Sequence, residues 1–172
     1  MLGRSHLTGV MTAMGPELLG RLLDQHGAAL ALYARQWCAA AEDVVQEAFV
    51  KLAGQRPPPE NAVGWLFRVV RNGAISAGRG DRRRQRHESA AAQARGWFAP
   101  AESSGLDAES AAAALQGLPI EQREIIVAHL WGGRTFEQVA ELTGVPASTA
   151  HRRYVEGLTA LRERLGVPCP KK

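Results

Sequence analysis

Ala150, Tyr154, Leu158, Leu161 and Leu165 recur at i, i+4, i+8, i+11 and i+15. A helix of 3.6 residues per turn gathers such positions onto one buried stripe, whereas the period of a strand would scatter them over both faces. Apolar residues fall at helical spacing across residues 16–38, 41–52 and 62–78 as well, and strand-type alternation is found nowhere. The chain is therefore expected to be all-α. At 172 residues it has room for two small helical domains.

Breaks in the pattern divide it. The first helical stretch, PELLGRLLDQHGAALALYARQWC, contains Gly27 as a point of bending. The second, from Ala41 to Leu52, is stopped by QRPPPEN, since three prolines cannot continue a helix and fix an extended turn. The third runs from about Ala62 to Gly78 and passes into the basic run RGDRRRQR. From 87 to 107 the composition shifts to Ala, Gln, Ser, Gly and Pro, which reads as a flexible linker with a frayed alanine-rich start. Trp97 and Phe98 within it are expected to dock on a neighbouring surface. The helical pattern resumes at 108, with Pro119 placed to open a helix and Gly132-Gly133 to end it. The expected domains are thus 16–86 and 108–166, joined by the linker.

Within the second domain, TFEQVAELTGVPASTAHRR has the makings of a helix-turn-helix. Thr135 followed by Gln138 fits a capping box, in which hydroxyl and amide each satisfy a backbone N–H of the first turn. Phe136, Val139 and Ala140 share a face, Gly144 suits a turn position of positive φ, and Val145 would plug the core beneath it. Opposite the buried stripe of the next helix lie Ser148, Arg152, Val155 and Thr159, with His151 and Arg153 beside them. Hydroxyls, imidazole and guanidinium groups at the front of a second helix are what contact with base edges and phosphates requires. A helical corner with a solvated basic face is the plain alternative.

The first domain has two contrasting surfaces. In Ala41 to Leu52, Val44, Val45, Ala48, Phe49 and Leu52 cover one side, and Asp43, Gln46, Glu47 and Val50 the other. An acidic face repels nucleic acid, so its partner is either water or a protein. In the third helix Trp65, Leu66, Val69, Val70 and Gly73 are expected inward, with Phe67, Arg68, Arg71 and Ile75 outward. Arg79, Arg82, Arg83, Arg84 and Arg86 follow, against the single acid Asp81. Arginines beside an exposed ring suit single-stranded nucleic acid, where bases stack and phosphates pair with guanidinium groups; a solvated basic run is the alternative.

Other chemistry finds little support. Cys38 and Cys169 belong to no metal or redox spacing, and five scattered histidines form no ligand pair, so neither metal nor cofactor is expected. Paired carboxylates, a nucleophile–base set and a phosphate loop are all missing from the sequence, which argues against an enzyme. No run approaches the ~20 apolar residues of a membrane span, and the N-terminus lacks the apolar run of a signal peptide. A cytoplasmic protein without membrane insertion is expected. The net charge of +4 permits an anionic partner without requiring one.

The order of AEDVVQEAFVKL, then WLFRVVRNGAIS with an arginine run, then LPIEQREIIVAHLWGGRTFEQVAELTGVPASTAHRR resembles the extracytoplasmic-function subfamily of sigma-70 RNA polymerase sigma factors. The likeness spans roughly Leu18 to Arg86 and Ala108 to Leu165. It implies that Asp43, Gln46, Glu47 and Val50 grip the coiled coil of the polymerase β′ subunit, and that the β flap is a second contact. It implies that the proline loop with Pro58 and Asn61 captures a flipped base of the −10 promoter element. The third helix, with Phe67, Arg68, Arg71 and Asn72, and Arg79, Arg82 and Arg83 after it, would read and melt that element. Thr135, Ser148, Thr149, His151, Arg152 and Arg153 would serve the −35 element in the major groove. An anti-sigma factor is a further implied partner.

The sequence departs from the family pattern in places. Ser76 stands where an aspartate is usual, Gly73 and Gly78 loosen a helix usually richer in Leu and Ala, and Val155, Glu156 and Gly157 replace a usually basic stretch. These bear on which promoter is read. A free-standing helix-turn-helix regulator is the alternative function, and the acidic helix is the feature it would not need.

Overall fold

A computed structural model describes residues 14–87 and 108–167. The expectations for the linker, for Trp97 and Phe98 and for Cys169 fall outside those residues, as do the side chains of Arg84 and Arg86. Among the described residues every regular element is a helix: α1 (Pro16–Ala34), α2 (Ala41–Ala53), α3 (Ala62–His87), α4 (Ala108–Gln116), α5 (Ile120–Ile126), a π-helical turn (Val127–Trp131), α6 (Phe136–Thr143) and α7 (Ala147–Arg164).

Local chemistry accounts for most of these boundaries. Pro16 opens α1 in the first turn, where its missing N–H costs nothing. Gly27 does not interrupt α1, which continues to Ala34. The Arg35–Glu42 ion pair joins the end of α1 to the start of α2. The proline loop follows, with a cis Arg56–Pro57 peptide. Asn61 then caps α3, its Oδ1 accepting from the Gly64 N–H at 2.8 Å.

Helix α3 is longer than its apolar pattern indicates. It runs through Gly78 and Gly80 to His87, because Arg and Gln are good helix formers even where no core supports them. Gly78 also has a packing role: a Cβ there would stand 2.2 Å from the Trp37 carbonyl oxygen, so only glycine lets α3 approach the end of α1. Gly80 has nothing within 4 Å of its would-be Cβ. Gly80→Ala is therefore expected to stabilise the fold by about 0.8–1 kcal/mol, the helix-propensity difference, measured by urea unfolding.

Helices α1, α2 and α3 pack on one another around Leu30, Tyr33, Leu52, Leu66 and Val70, all fully buried. Helix α7 lies across α5 and α6 over Ile126, Val139 and Ala150. These two sets share one continuous apolar core, because α1 packs on the π-helical turn and α3 packs on α6.

Candidate nucleic-acid and polymerase surfaces

The helix-turn-helix is built as its sequence indicates. The Gln138 N–H donates to Thr135 Oγ1 at 3.3 Å, while the Thr135 N–H donates to Gln138 Oε1 at 3.1 Å, closing the capping box. Gly144 ends α6 at φ 75°, in the left-handed region where a side chain is strained. Val145 packs against the core under the turn. An aromatic cluster seats the front of α7: His129 stacks on Phe136 at 4.3 Å, and Tyr154 and His151 meet Phe136 edge-on at 5.4 and 5.0 Å. The Nδ1 atom of His129 lies 2.7 Å from the Arg134 carbonyl oxygen, fixing the ring.

With α7 seated, Ser148, Arg152, Val155 and Thr159 all lie exposed along one stripe. His151 and Thr135 are exposed too, and Thr149 and Arg153 are half-buried. Arg152 Nε lies 3.8 Å from Glu156 Oε1, one turn on. Gly157 is not part of this stripe. It is buried, and a Cβ there would come within 2.7 Å of Ile126 Cδ1.

Helix α2 presents Asp43, Gln46, Glu47 and Val50 to solvent, with Val44, Val45, Ala48 and Leu52 buried behind them. Val50 is 72% exposed, an apolar side chain set among acids. Glu47 pairs with Lys51 at 2.8 Å. A solvated apolar residue ringed by charge is a common form for a protein-docking patch.

On α3 and its loop, Asn61, Arg68, Asn72, Arg79, Arg82 and Arg83 are exposed, and Pro58 is half-buried. Phe67 and Arg71 depart from the outward placement expected of them. Phe67 is fully buried, its ring edge-on to Tyr33 at 5.3 Å and under the Arg134 guanidinium at 5.6 Å. Gly132 lies against its tip, where a Cβ would meet Phe67 Cζ at 2.7 Å. Phe67 lies one turn before Val70 on the same side of α3, so Tyr33 of α1 covers part of its ring, and Gly132 and Arg134, from more than sixty positions later, cover the rest.

Arg71 is drawn into the same contact. Its Nε donates to Glu124 Oε1 at 2.5 Å and its Nη2 to Oε2 at 3.4 Å, while the Tyr33 hydroxyl donates to Oε1 at 2.6 Å. The guanidinium also lies over the Trp37 ring at 5.8 Å. Glu124 is only 5% exposed, so its charge depends on these donors. Neither Glu124 nor Tyr33 stands out as functional from its residue type. The available signal is position: in IEQREIIVAHLW, Glu124 occupies a helical-period slot with Ile120, Val127 and Ala128, which is otherwise apolar.

Burial, and then the Glu124 carboxylate, hold the Tyr33 phenol proton well above its ordinary pKa of 10.0. The folded protein thus keeps this proton where an unfolded chain has lost it. Stability from Tyr33 is complete below pH 10.0 and is lost as pH rises toward the raised value. Thermal melting is expected to fall as pH rises above about 10, and less steeply in Tyr33→Phe.

A cleft of about 220 Å³ opens beside this contact. The proline loop and α3 line one wall, with Pro59, Asn61 and Arg68; Arg134 and α6 residues Gln138 and Glu141 line the other. Among the described residues no group of three His, Cys, Asp or Glu side chains could hold a metal ion. No described helix is long and apolar enough to cross a membrane.

Comparison with protein families matches residues 22–84 to Sigma-70 region 2 and residues 108–161 to Sigma-70, region 4. The RNA polymerase sigma factor CarQ of Myxococcus xanthus is 31% identical over 136 residues, covering 74% of this chain and 76% of that protein. The chain belongs to the sigma-70 family. With matches to regions 2 and 4 it is a sigma factor of the extracytoplasmic-function type. The probable RNA polymerase sigma factor RfaY of Xanthomonas campestris pv. campestris is 32% identical over 148 residues, which cover 80% of this sigma factor but 37% of RfaY.

Among solved structures, the sigma factor RpoE from Bartonella quintana, in complex with the anti-sigma factor NepR, superposes with a TM-score of 0.73. That match has 25% identity and covers 90% of this chain and all of the other. CnrH, in complex with the cytosolic domain of CnrY, has the same fold, with a TM-score of 0.58 and 22% identity over 90% of this chain and 92% of its own. The sigma factor works with core RNA polymerase and promoter DNA to direct transcription initiation.

Proposed function

We propose that three surfaces divide this work, and that the polymerase supplies all the chemistry. Asp43, Gln46, Glu47 and Val50 on α2 dock on the β′ coiled coil, with the β flap as a second hold. The proline loop with Pro58 and Asn61 takes up a base of the −10 element, and Arg68, Arg71, Asn72, Arg79, Arg82 and Arg83 hold the strand that carries it. The front of α7, with Ser148, Thr149, His151, Arg152 and Arg153, reads the −35 element, and Thr135 holds its backbone. Domains spanning 16–86 and 108–166, joined by a linker, let each contact raise the effective concentration of the next. The site of action is the cytoplasm, and an anti-sigma factor of the kind bound to RpoE is a further partner.

One observation carries this reading: the α2 face is fully solvated and acidic on the same chain as a basic helix-turn-helix. A free-standing DNA-binding regulator has no use for it. A mobility-shift assay on duplex promoter DNA, with and without core enzyme, separates the two. Specific complexes are expected only with core enzyme; tight, specific binding by the protein alone would identify a free-standing regulator.

Glu156 adds a finer expectation. It faces the DNA side of α7 and draws on the Arg152 guanidinium. Glu156→Gln removes a repulsive charge, so holoenzyme affinity for promoter DNA should rise about two- to fivefold at low salt and converge with wild type at high salt. An unchanged affinity at low salt would place Glu156 away from the backbone.

A further inference from the structure

We infer that Val155, an apolar residue in the exposed stripe of α7, reads the 5-methyl group of a thymine in the −35 element, next to the base that Arg152 reads. This rests on the assignment of α7 to that element.

The fold does not require a valine there. Its side chain is 48% exposed and belongs neither to the apolar core nor to the residues packed against it. It is also a poor choice for the helix itself, since a β-branched residue has a lower propensity than Ala. At the front of the stripe the exposed residues, Ser148 and Arg152, are polar. Behind Arg152 the character changes. The Thr159 hydroxyl donates to the Val155 carbonyl oxygen at 2.9 Å, so its proton is taken up by the helix backbone. Glu156 is drawn toward Arg152, with Oε1 3.8 Å from Nε. Neither Val155 nor Thr159 thus has a proton to give a base edge.

What Val155 offers is contact. In the major groove every base pair presents donors and acceptors, and thymine alone adds an apolar group, the methyl at C5. A valine held by the helix in one preferred rotamer suits such a group, because little side-chain freedom is left to lose. The spacing agrees. Residues three apart on a helix have Cβ atoms about 5–6 Å apart, and successive bases of a strand lie about 3.4 Å apart. Arg152 and Val155 therefore span neighbouring steps of the element, with hydrogen bonds at one and apolar contact at the next. A methyl reader is blind to which pyrimidine carries the group, so 5-methylcytosine satisfies Val155 as thymine does.

The test uses reconstituted holoenzyme and duplexes of a promoter mapped by its transcript start site, with the −35 segment randomised. Sequencing of the bound pool is expected to show a thymine fixed beside a guanine. Val155→Ser removes both methyls at little change in helix propensity, and should keep the guanine but lose the thymine. The best-bound duplex is then remade with deoxyuridine, cytosine or 5-methylcytosine in place of that thymine. Wild-type holoenzyme should bind thymine over deoxyuridine about fourfold more tightly, the effect of burying one methyl group, and 5-methylcytosine over cytosine by the same factor. Both ratios should fall to one with Val155→Ser.

Equal affinity for the thymine and deoxyuridine duplexes would overturn the proposal, as would ratios that persist in Val155→Ser. A pool in which no base of the segment is fixed would overturn the −35 assignment and this inference with it. A fixed segment that is indifferent to the methyl group overturns this inference alone.

Discussion

Lysine at both Asp43 and Glu47 is expected to abolish assembly with core RNA polymerase while leaving the helical content of the protein unchanged. Both side chains stand on the solvated face of α2, and neither touches the apolar core beneath it. The cost to the fold is small. Glu47 and Lys51 form an exposed pair one turn apart, which is worth only a few tenths of a kcal/mol even when replaced by two like charges. The cost to assembly is large, because a cation pressed against a surface that complements an acid loses attraction and gains repulsion, together several kcal/mol. Fluorescence anisotropy of labelled protein titrated with core enzyme measures the loss. Undiminished assembly by a helical double variant would remove α2 from the polymerase interface.

Arg152→Ala is the second change expected to have a large effect. Arg152 lies at the centre of the exposed stripe of α7, held outward by Tyr154 packing beneath the helix against Phe136. Its fork can make two hydrogen bonds to a guanine edge, and losing them costs about 1–3 kcal/mol of discrimination at one base pair of the −35 element. Holoenzyme affinities for a matched promoter and for one altered in that element, measured across salt concentrations, give the readout. The variant should bind both nearly alike. A uniform loss on both promoters with a shallower salt slope would instead assign Arg152 to a phosphate. Wild-type behaviour on both promoters at every salt would exclude any contact.

The parts of this architecture set by nearby residues could be read from the sequence. The capping box of Thr135 and Gln138, the left-handed Gly144 and the two-sided α2 each follow from residues within a few positions of one another. Helix α3 is partly local as well. Its apolar period ends near Gly78, but the helix itself continues through the arginine run on propensity alone.

Phe67, Arg71, Tyr33 and Glu124 follow another rule. Phe67 shares a side of α3 with Val70 and packs on Tyr33, whereas helical spacing carries no information about the layer that Glu124, Gly132 and Arg134 bring over it and Arg71. Glu124 is the one member of this buried cluster that breaks a local pattern, as a charge in an apolar slot. Its partner lies 53 residues away, and no spacing rule connects the two. The resemblance to sigma factors supplied the roles of the surfaces, and contacts between those surfaces had to come from the three-dimensional arrangement.

The close crossing of α5 and α7 at Gly157 also limits how this protein can diverge. A Cβ there would stand 2.7 Å from Ile126 Cδ1 and 3.2 Å from Gln122 Cβ, so those side chains would have to shift. A longer side chain at this position requires side chains of α5 to move first. If α7 reads the −35 element as proposed, retargeting by single substitution is channelled to Ser148, Arg152, Val155 and Thr159, which face open solvent along one line. On that proposal, gene duplicates of this factor would explore new promoters along that line with little change to the packing beneath it.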